Sequence, residues 1–372
     1  MPNLRRGMMA AAGVSTTTKF AIWGFGRNDG GYLGDGTTTN RSSPVQVGDL
    51  NDWVYFSAIG PQTGAINSAG ELWTWGSNSE GGLGLGDTTA RSSPTQVGSL
   101  TNWSKSGGGY GYQLNIKTDG TLWAMGQNGN AQLGTNNTTL YSSPVQIGSL
   151  TDWSQVSGSG SASFAVKTDG TLWAWGQQSD GQLGNGVSSN ANISSPIQIG
   201  SDTDWVEVSA LEGNAAGIKN TDELWTWGVN NFGALGQGNT TNYSSPVQIA
   251  GAWAKTSAGN GGHRMVIKTD GTLWGVGKNT AGQLGLGTAS NICTIAQVGS
   301  LTDWNQISSG QNSSGAQKTD GTLWTWGNGA DGVLGNGTTT SISSPAQVGS
   351  ATDWLDTLSG GWQFRMVART PA

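Results

Sequence analysis

Tryptophan recurs along this chain in two interleaved ladders with a period near 50 residues. The first, Trp23, Trp73, Trp123, Trp173, Trp225, Trp274 and Trp324, steps by 50, 50, 50, 52, 49 and 50 residues, mostly within Leu-Trp-x-Trp-Gly. The second, Trp53, Trp103, Trp153, Trp205, Trp253, Trp304 and Trp354, steps by 50, 50, 52, 48, 51 and 50. Together they hold 14 of the 19 tryptophans; Trp75, Trp175, Trp227 and Trp326 complete the first motif, and only Trp362 stands outside the pattern. A fixed period of this length marks stacked repeats, each too small to bury its apolar surface alone.

The fourth unit reads as four short strands, 153–157, 163–167, 171–176 and 196–199. Asp169-Gly170 is a tight-turn signal between the second and third. In the third strand Leu172 and Ala174 fall on one face and Trp173 and Trp175 on the other, and a strand without a polar face is covered on both sides. Helix is excluded as the main ingredient by 63 glycines in 372 residues, since each interior helical glycine costs about 1 kcal/mol relative to alanine. Disorder is excluded by the tryptophans, which demand burial.

Seven units of four strands match the blades of a propeller. The first unit begins at Phe20, already at its third strand, and 353–369 supply two strands with no third strand after them. The two halves complement each other. The expected fold is therefore all-β, a seven-bladed β-propeller of four-stranded blades closed by pairing of the C-terminal strands with the N-terminal strand. Residues 18–369 form this domain, 1–17 an arm and 370–372 a tail.

Net charge is -6, which disfavours a nucleic-acid partner. One cysteine, Cys293, excludes a disulfide framework, and one histidine, His263, removes the usual zinc constellations. No apolar run reaches the length of about 20 residues that spans a bilayer. Asp119, Asp169, Asp270 and Asp320 sit in Lys-Thr-Asp-Gly turns, and Asn28-Asp29-Gly30 and Ser179-Asp180-Gly181 lack the closing glutamate of a calcium loop; all read as turns. His263 reads as a hydrogen-bonded or loop histidine. Cys293 and Ile295, where other units have serine and proline, read as drift in one blade. No catalytic, metal or cofactor site is expected.

Asp169-Gly170-Thr171-Leu172-Trp173-Ala174-Trp175-Gly176, then Gly181-Gln182-Leu183-Gly184 and Ser194-Ser195-Pro196, resemble the regulator of chromosome condensation repeat family over about residues 18–369. The resemblance implies a seven-bladed propeller and leaves function open, because similar propellers serve as a Ran exchange factor, a plant photoreceptor and a secreted enzyme inhibitor. Units of 48–52 residues leave no room for the protruding wedge that the exchange factor would use. Only Gly361-Trp362-Gln363-Phe364-Arg365 comes near the photoreceptor's Gly-Trp-Arg-His-Thr. The N-terminal start also resembles phage-encoded members.

Between units the scaffold hardly changes, whereas the segment after the second tryptophan ladder differs in every blade: 60–64, 107–112, 158–163, 211–214, 259–264, 310–314 and 360–365. Seven such loops are expected to emerge on one face as an asymmetric surface bearing Gln62, Tyr110, Tyr112, Glu212, Asn214, His263, Arg264, Gln311, Trp362 and Arg365. Tyrosine, tryptophan and arginine dominate interface energetics. A second variable set, Arg41, Arg91, Tyr141, Ile193, Tyr243, Ile292 and Ile342, reads as a lid over the blade edge. Arg5 and Arg6, ahead of an apolar stretch at 7–14, suit either a short secretion signal or a tether onto a neighbouring subunit. The sequence thus predicts a non-catalytic display scaffold for a protein or glycan partner, on a virion or the cell exterior; the alternative is a cytoplasmic regulatory propeller acting on a GTPase or other protein.

Overall fold

The computed structural model describes residues 18–259 and 262–371. These form seven four-stranded antiparallel sheets arranged as a ring. Blade 2, for example, runs from an inner strand, Trp53–Ile59, through Gln62–Asn67 and Leu72–Gly76 to an outer strand, Arg91–Gln96. Blades 3 to 7 repeat this order, and their inner strands surround a central channel.

Blade 1 is the composite. Its inner strands, Trp354–Gly360 and Phe364–Arg369, come from the C-terminal end, and its outer ones, Ala21–Gly26 and Arg41–Gln46, from the N-terminal end. Ala21 pairs with Arg369 and Gly26 with Phe364 in an unbroken antiparallel register. The seams on either side of this blade are built like the rest. Gly337 N donates to Ser42 O at 2.7 Å across the seam with blade 7, and Gly36 N to Ser92 O at 2.8 Å across that with blade 2. Between blades 2 and 3, Gly86 N donates to Ser142 O at 2.7 Å in the same way.

The core lies in the seams between blades. Between blades 3 and 4, Leu114, Leu122 and Leu133 pack against Trp153, Ala165 and Trp175. Burying one such indole removes about 150–250 Å² from water, roughly 4–6 kcal/mol as an upper figure. The Trp175 Nε1 donates to Gln132 O in the preceding blade at 2.8 Å, which satisfies the one polar atom that burial would leave unpaired. Gly134 of the Leu-Gly pair lies beneath the same ring with φ +74°, where a Cβ would sit 2.8 Å from Nε1. This explains why leucine-glycine recurs at one position per unit.

The strands observed in blade 4, Trp153–Gly158, Ala162–Lys167, Leu172–Gln178 and Ser189–Gln198, match the sequence expectation, with an outer strand that starts earlier. Prolines in Ser-Ser-Pro occupy outer strands, where the missing N–H faces no partner and blunts the edge. Blade 6 forms its outer strand, Ile292–Gln297, without that proline. Among the described residues no helix is long and apolar enough to cross a membrane.

The Lys-Thr-Asp-Gly turns are structural joints. In blade 3, Asp119 Oδ1 accepts from the Thr121 N–H at 3.0 Å and the Thr121 hydroxyl at 2.7 Å. The Trp123 Nε1 in turn donates to that hydroxyl at 2.9 Å. These bonds hold the carboxyl below the usual carboxylate range.

Candidate interaction face

The loops between inner and second strands, together with those between third and outer strands, meet at one end of the channel. The inner-to-second loops are shorter than the variable segments. Only two residues separate the strands at Gly60-Pro61, Tyr110-Gly111 and Glu212-Gly213. Gly60, Gly111, Glu212 and Gly213 have φ values of 55°, 75°, 46° and 83°, so each hairpin reverses at once.

That geometry corrects the expected surface. Gln62, Tyr112, Asn214, His263, Arg264 and Arg365 lie within second strands and are buried between blades. Their variation follows the neighbouring blade. The Tyr112 hydroxyl donates to Ala162 O at 2.8 Å and lies 3.0 Å from the Ser163 hydroxyl. Arg264 donates to Asn214 Oδ1 at 2.8 Å, and Arg365 to the Ser313 hydroxyl at 3.0 Å. His263 Nε2 donates to Ser314 at 3.1 Å, because the Ser314 proton is already given to Gln283 O at 2.7 Å. In each case the first residue of one second strand meets the second residue of the next blade's. Substituting one member without its partner leaves a buried polar group unpaired.

Burial governs the charges of this ring. It pushes the Tyr112 hydroxyl up. It also pulls His263 down to about 3, with the positive charges of Arg365, Lys278 and Arg264 adding to the effect. The imidazole is therefore neutral, fully enclosed, and out of reach of any substrate.

Four of the ten residues remain at the surface: Tyr110, Glu212, Gln311 and Trp362. Tyr110, 47% exposed, meets Trp362 edge to face with ring centroids 6.1 Å apart. These two come from blades 3 and 1. Blade 2 links them, since Trp362 N donates to Gly60 O at 3.0 Å, and blade 7 joins through Gln311 N to Trp362 O at 3.0 Å. The Arg27 guanidinium stands 5.4 Å from the centre of the Trp362 ring and is held by Asp29 at 2.6 Å and by Gln363 Oε1 at 2.8 Å. Across the face, Phe232 is 41% exposed, and the Lys278 ammonium lies 5.4 Å from its ring centre.

Sequence reasoning missed Arg27, Phe232 and Lys278. Arg27 and Lys278 lie just after the Trp-Gly or equivalent motif, at a position that elsewhere carries Ser77, Gln127, Gln177, Val229 and Asn328, and Phe232 lies three residues beyond Val229; that variation was the available signal. The second variable set starts or enters the outer strands, with Arg41 paired to Asp35 at 2.7 Å and Arg91 to Asp87 at 2.6 Å. Asn28 donates to Asp35 Oδ1 at 2.9 Å and accepts from Leu33 N at 2.9 Å, which is a turn arrangement. Arg5 and Arg6 lie outside the described residues.

Fold and face together define a closed, tryptophan-seamed propeller with one irregular loop surface. A model described as the regulator of chromosome condensation (RCC1) repeat matches residues 21–62, 69–113, 119–166, 169–210, 221–263 and 320–367. The chain belongs to this family. The stretch it passes over includes Val276 in place of the motif tryptophan and Ile295 in place of proline, yet blade 6, to which both belong, has the same four strands. The chain is similar to Prp20p from Saccharomyces cerevisiae, at 17% identity over 96% of this chain and 93% of that one, with a TM-score of 0.84. It is similar to yeast RCC1 (Prp20) bound to Kap60, at 17% over 98% and 95% and a TM-score of 0.84. It is also similar to human WBSCR16, at 18% over 94% and 98% and a TM-score of 0.82. At these identities the likeness shows the fold. None of the curated proteins compared matches the chain.

Proposed function

We propose that this chain is a non-catalytic, protein-binding propeller of the regulatory kind, and that its partner docks on the loop face around Trp362. One observation carries the reading. Trp362, the tryptophan outside both ladders, is spared from the seams and held at the surface by contacts from four blades, with Tyr110 against its edge and Arg27 over its ring. A partly exposed aromatic pair with an arginine is the composition of an interface hot spot.

Support also comes from the similar structures, since Prp20p is reported with its binding properties to Gsp1p and histones, and yeast RCC1 (Prp20) bound to Kap60. Both reports concern protein partners. The glycan and virion versions of the sequence expectation gain no such support. Affinity capture with the full chain tests the reading: Tyr110→Ala with Trp362→Ala is expected to release proteins retained by the unmodified chain, while an identical set retained by both would refute the proposed face.

A further inference from the structure

The channel ends beneath this loop face in a cavity of about 200 Å³ whose lining holds no carboxylate and no aromatic ring. Serines from successive inner strands surround it. The hydroxyls of Ser359, Ser157, Ser209 and Ser257 accept backbone N–H bonds from Ala58 at 2.9 Å, Ala210 at 3.0 Å, Ala258 at 3.1 Å and Ser309 at 2.9 Å in the next blade. Such a bond satisfies the free edge of the neighbouring strand and leaves the serine's own proton to donate. Ser308 completes this side of the ring; it is 5% exposed and lines the cavity.

Behind this ring stand two buried guanidinium groups. Arg27, Arg41, Arg91 and Arg369 each pair with an aspartate. Arg264 and Arg365, both fully buried, form no ion pair among the described residues, and the Nε of each has no hydrogen-bond partner. Arg264 donates to the Thr256 hydroxyl and Arg365 to Ser308 O, each at 3.0 Å, and both acceptors line the cavity. The acidic groups nearby are Glu207, which acts on Arg264 at a distance, and Glu212, which faces Lys278. A desolvated guanidinium without a counter-charge is costly. In a chain of net charge -6, this positive sector spanning blades 6, 7 and 1 stands apart.

We propose that the channel mouth is an oxyanion site, in which a carboxylate or a tetrahedral anion accepts hydrogen bonds from the serine ring and balances Arg264 and Arg365. The oxyanion is either a free inorganic ion or the acidic side chain of a bound protein. The site does not depend on the Trp362 reading.

Calorimetric titration of the full chain with sodium phosphate, sodium sulfate and sodium acetate at constant ionic strength tests it. At least one anion is expected to bind. Ser308→Ala is expected to weaken it about tenfold, the loss of one charge-assisted bond, and Arg365→Met to abolish it. Arg91→Met, on the outer strand, leaves it unchanged. Acetate binding displaced by a glutamate-rich peptide assigns the site to a partner's side chain, and binding confined to phosphate and sulfate assigns it to a free ion. Should Arg365→Met fail to fold, Thr256→Val beside Ser308→Ala carries the test. No heat with any of the three anions, or affinities unchanged in the lining variants, overturns the proposal.

Discussion

The Lys117 ammonium lies 3.7 Å from the centre of the Trp123 ring and 4.8 Å from that of Trp103. Both ladders thus converge on one cation in six of the seven blades. Lys167, Lys219, Lys268, Lys318 and Arg369 take the same place in blades 4, 5, 6, 7 and 1. Blade 2 has Asn67 instead, and Asn67 Oδ1 accepts from Ala69 N at 3.1 Å and Glu71 N at 3.0 Å, so it also does the work of the turn aspartate that Ala69 replaces.

Two substitutions are therefore coupled. Asn67→Lys alone removes the turn acceptor and is expected to lower stability by about 1 kcal/mol. Adding Ala69→Asp returns the acceptor and lets the new ammonium sit between Trp53 and Trp73, which is worth about 0.5–1 kcal/mol. Urea midpoints for the four chains of this cycle give the coupling. Additive effects would contradict the turn assignment.

Tyr112→Phe is expected to destabilise the fold by about 1–3 kcal/mol, because Ala162 O and Ser163 lose a buried partner. Denaturant unfolding measures this. A neutral result would mean that the hydroxyl adds nothing to the seam between blades 3 and 4.

How far the sequence could be read is seen at these same residues. Periodicity, Asp-Gly turns and the unmatched half-blades at the two ends located every blade and its closure, because each feature acts within one unit or between chain ends. Arg264 and His263 were misplaced since residue type does not show what covers a side chain. Two-residue turns carry the strand straight into a seam, and the covering atoms belong to a blade some 50 residues away. Trp362 and Tyr110 were legible as surface candidates, but their contact across blades 1 and 3 was not, because it depends on the ring's curvature.

Stability should fall as pH drops below the ordinary histidine range. Burial pulls the folded His263 down to about 3 from its ordinary 6.5, so between these values the unfolded chain binds the extra proton. The slope from this group is at most about 1.4 kcal/mol per pH unit, with stability rising toward neutral pH. His263→Gln should lack this component between pH 6 and 4 on the order of that slope. Parallel profiles for both chains would contradict a neutral, enclosed imidazole.

Removing 354–372 strips blade 1 of its inner strands and opens the seams on both sides. Calorimetry is expected to show loss of the cooperative unfolding transition of the full chain. Retention of that transition at the same temperature would mean that the composite blade adds no stability.

The division of the loop face into seam residues and partner-contacting residues is tested most directly by binding isotherms. Once a partner is captured, Trp362→Ala and Tyr112→Phe are titrated against it, each with its unfolding midpoint. Trp362→Ala is predicted to weaken binding by at least about tenfold, a hot-spot loss, with an unaltered midpoint, and Tyr112→Phe to lower the midpoint with unaltered affinity. Full affinity in Trp362→Ala would contradict the account.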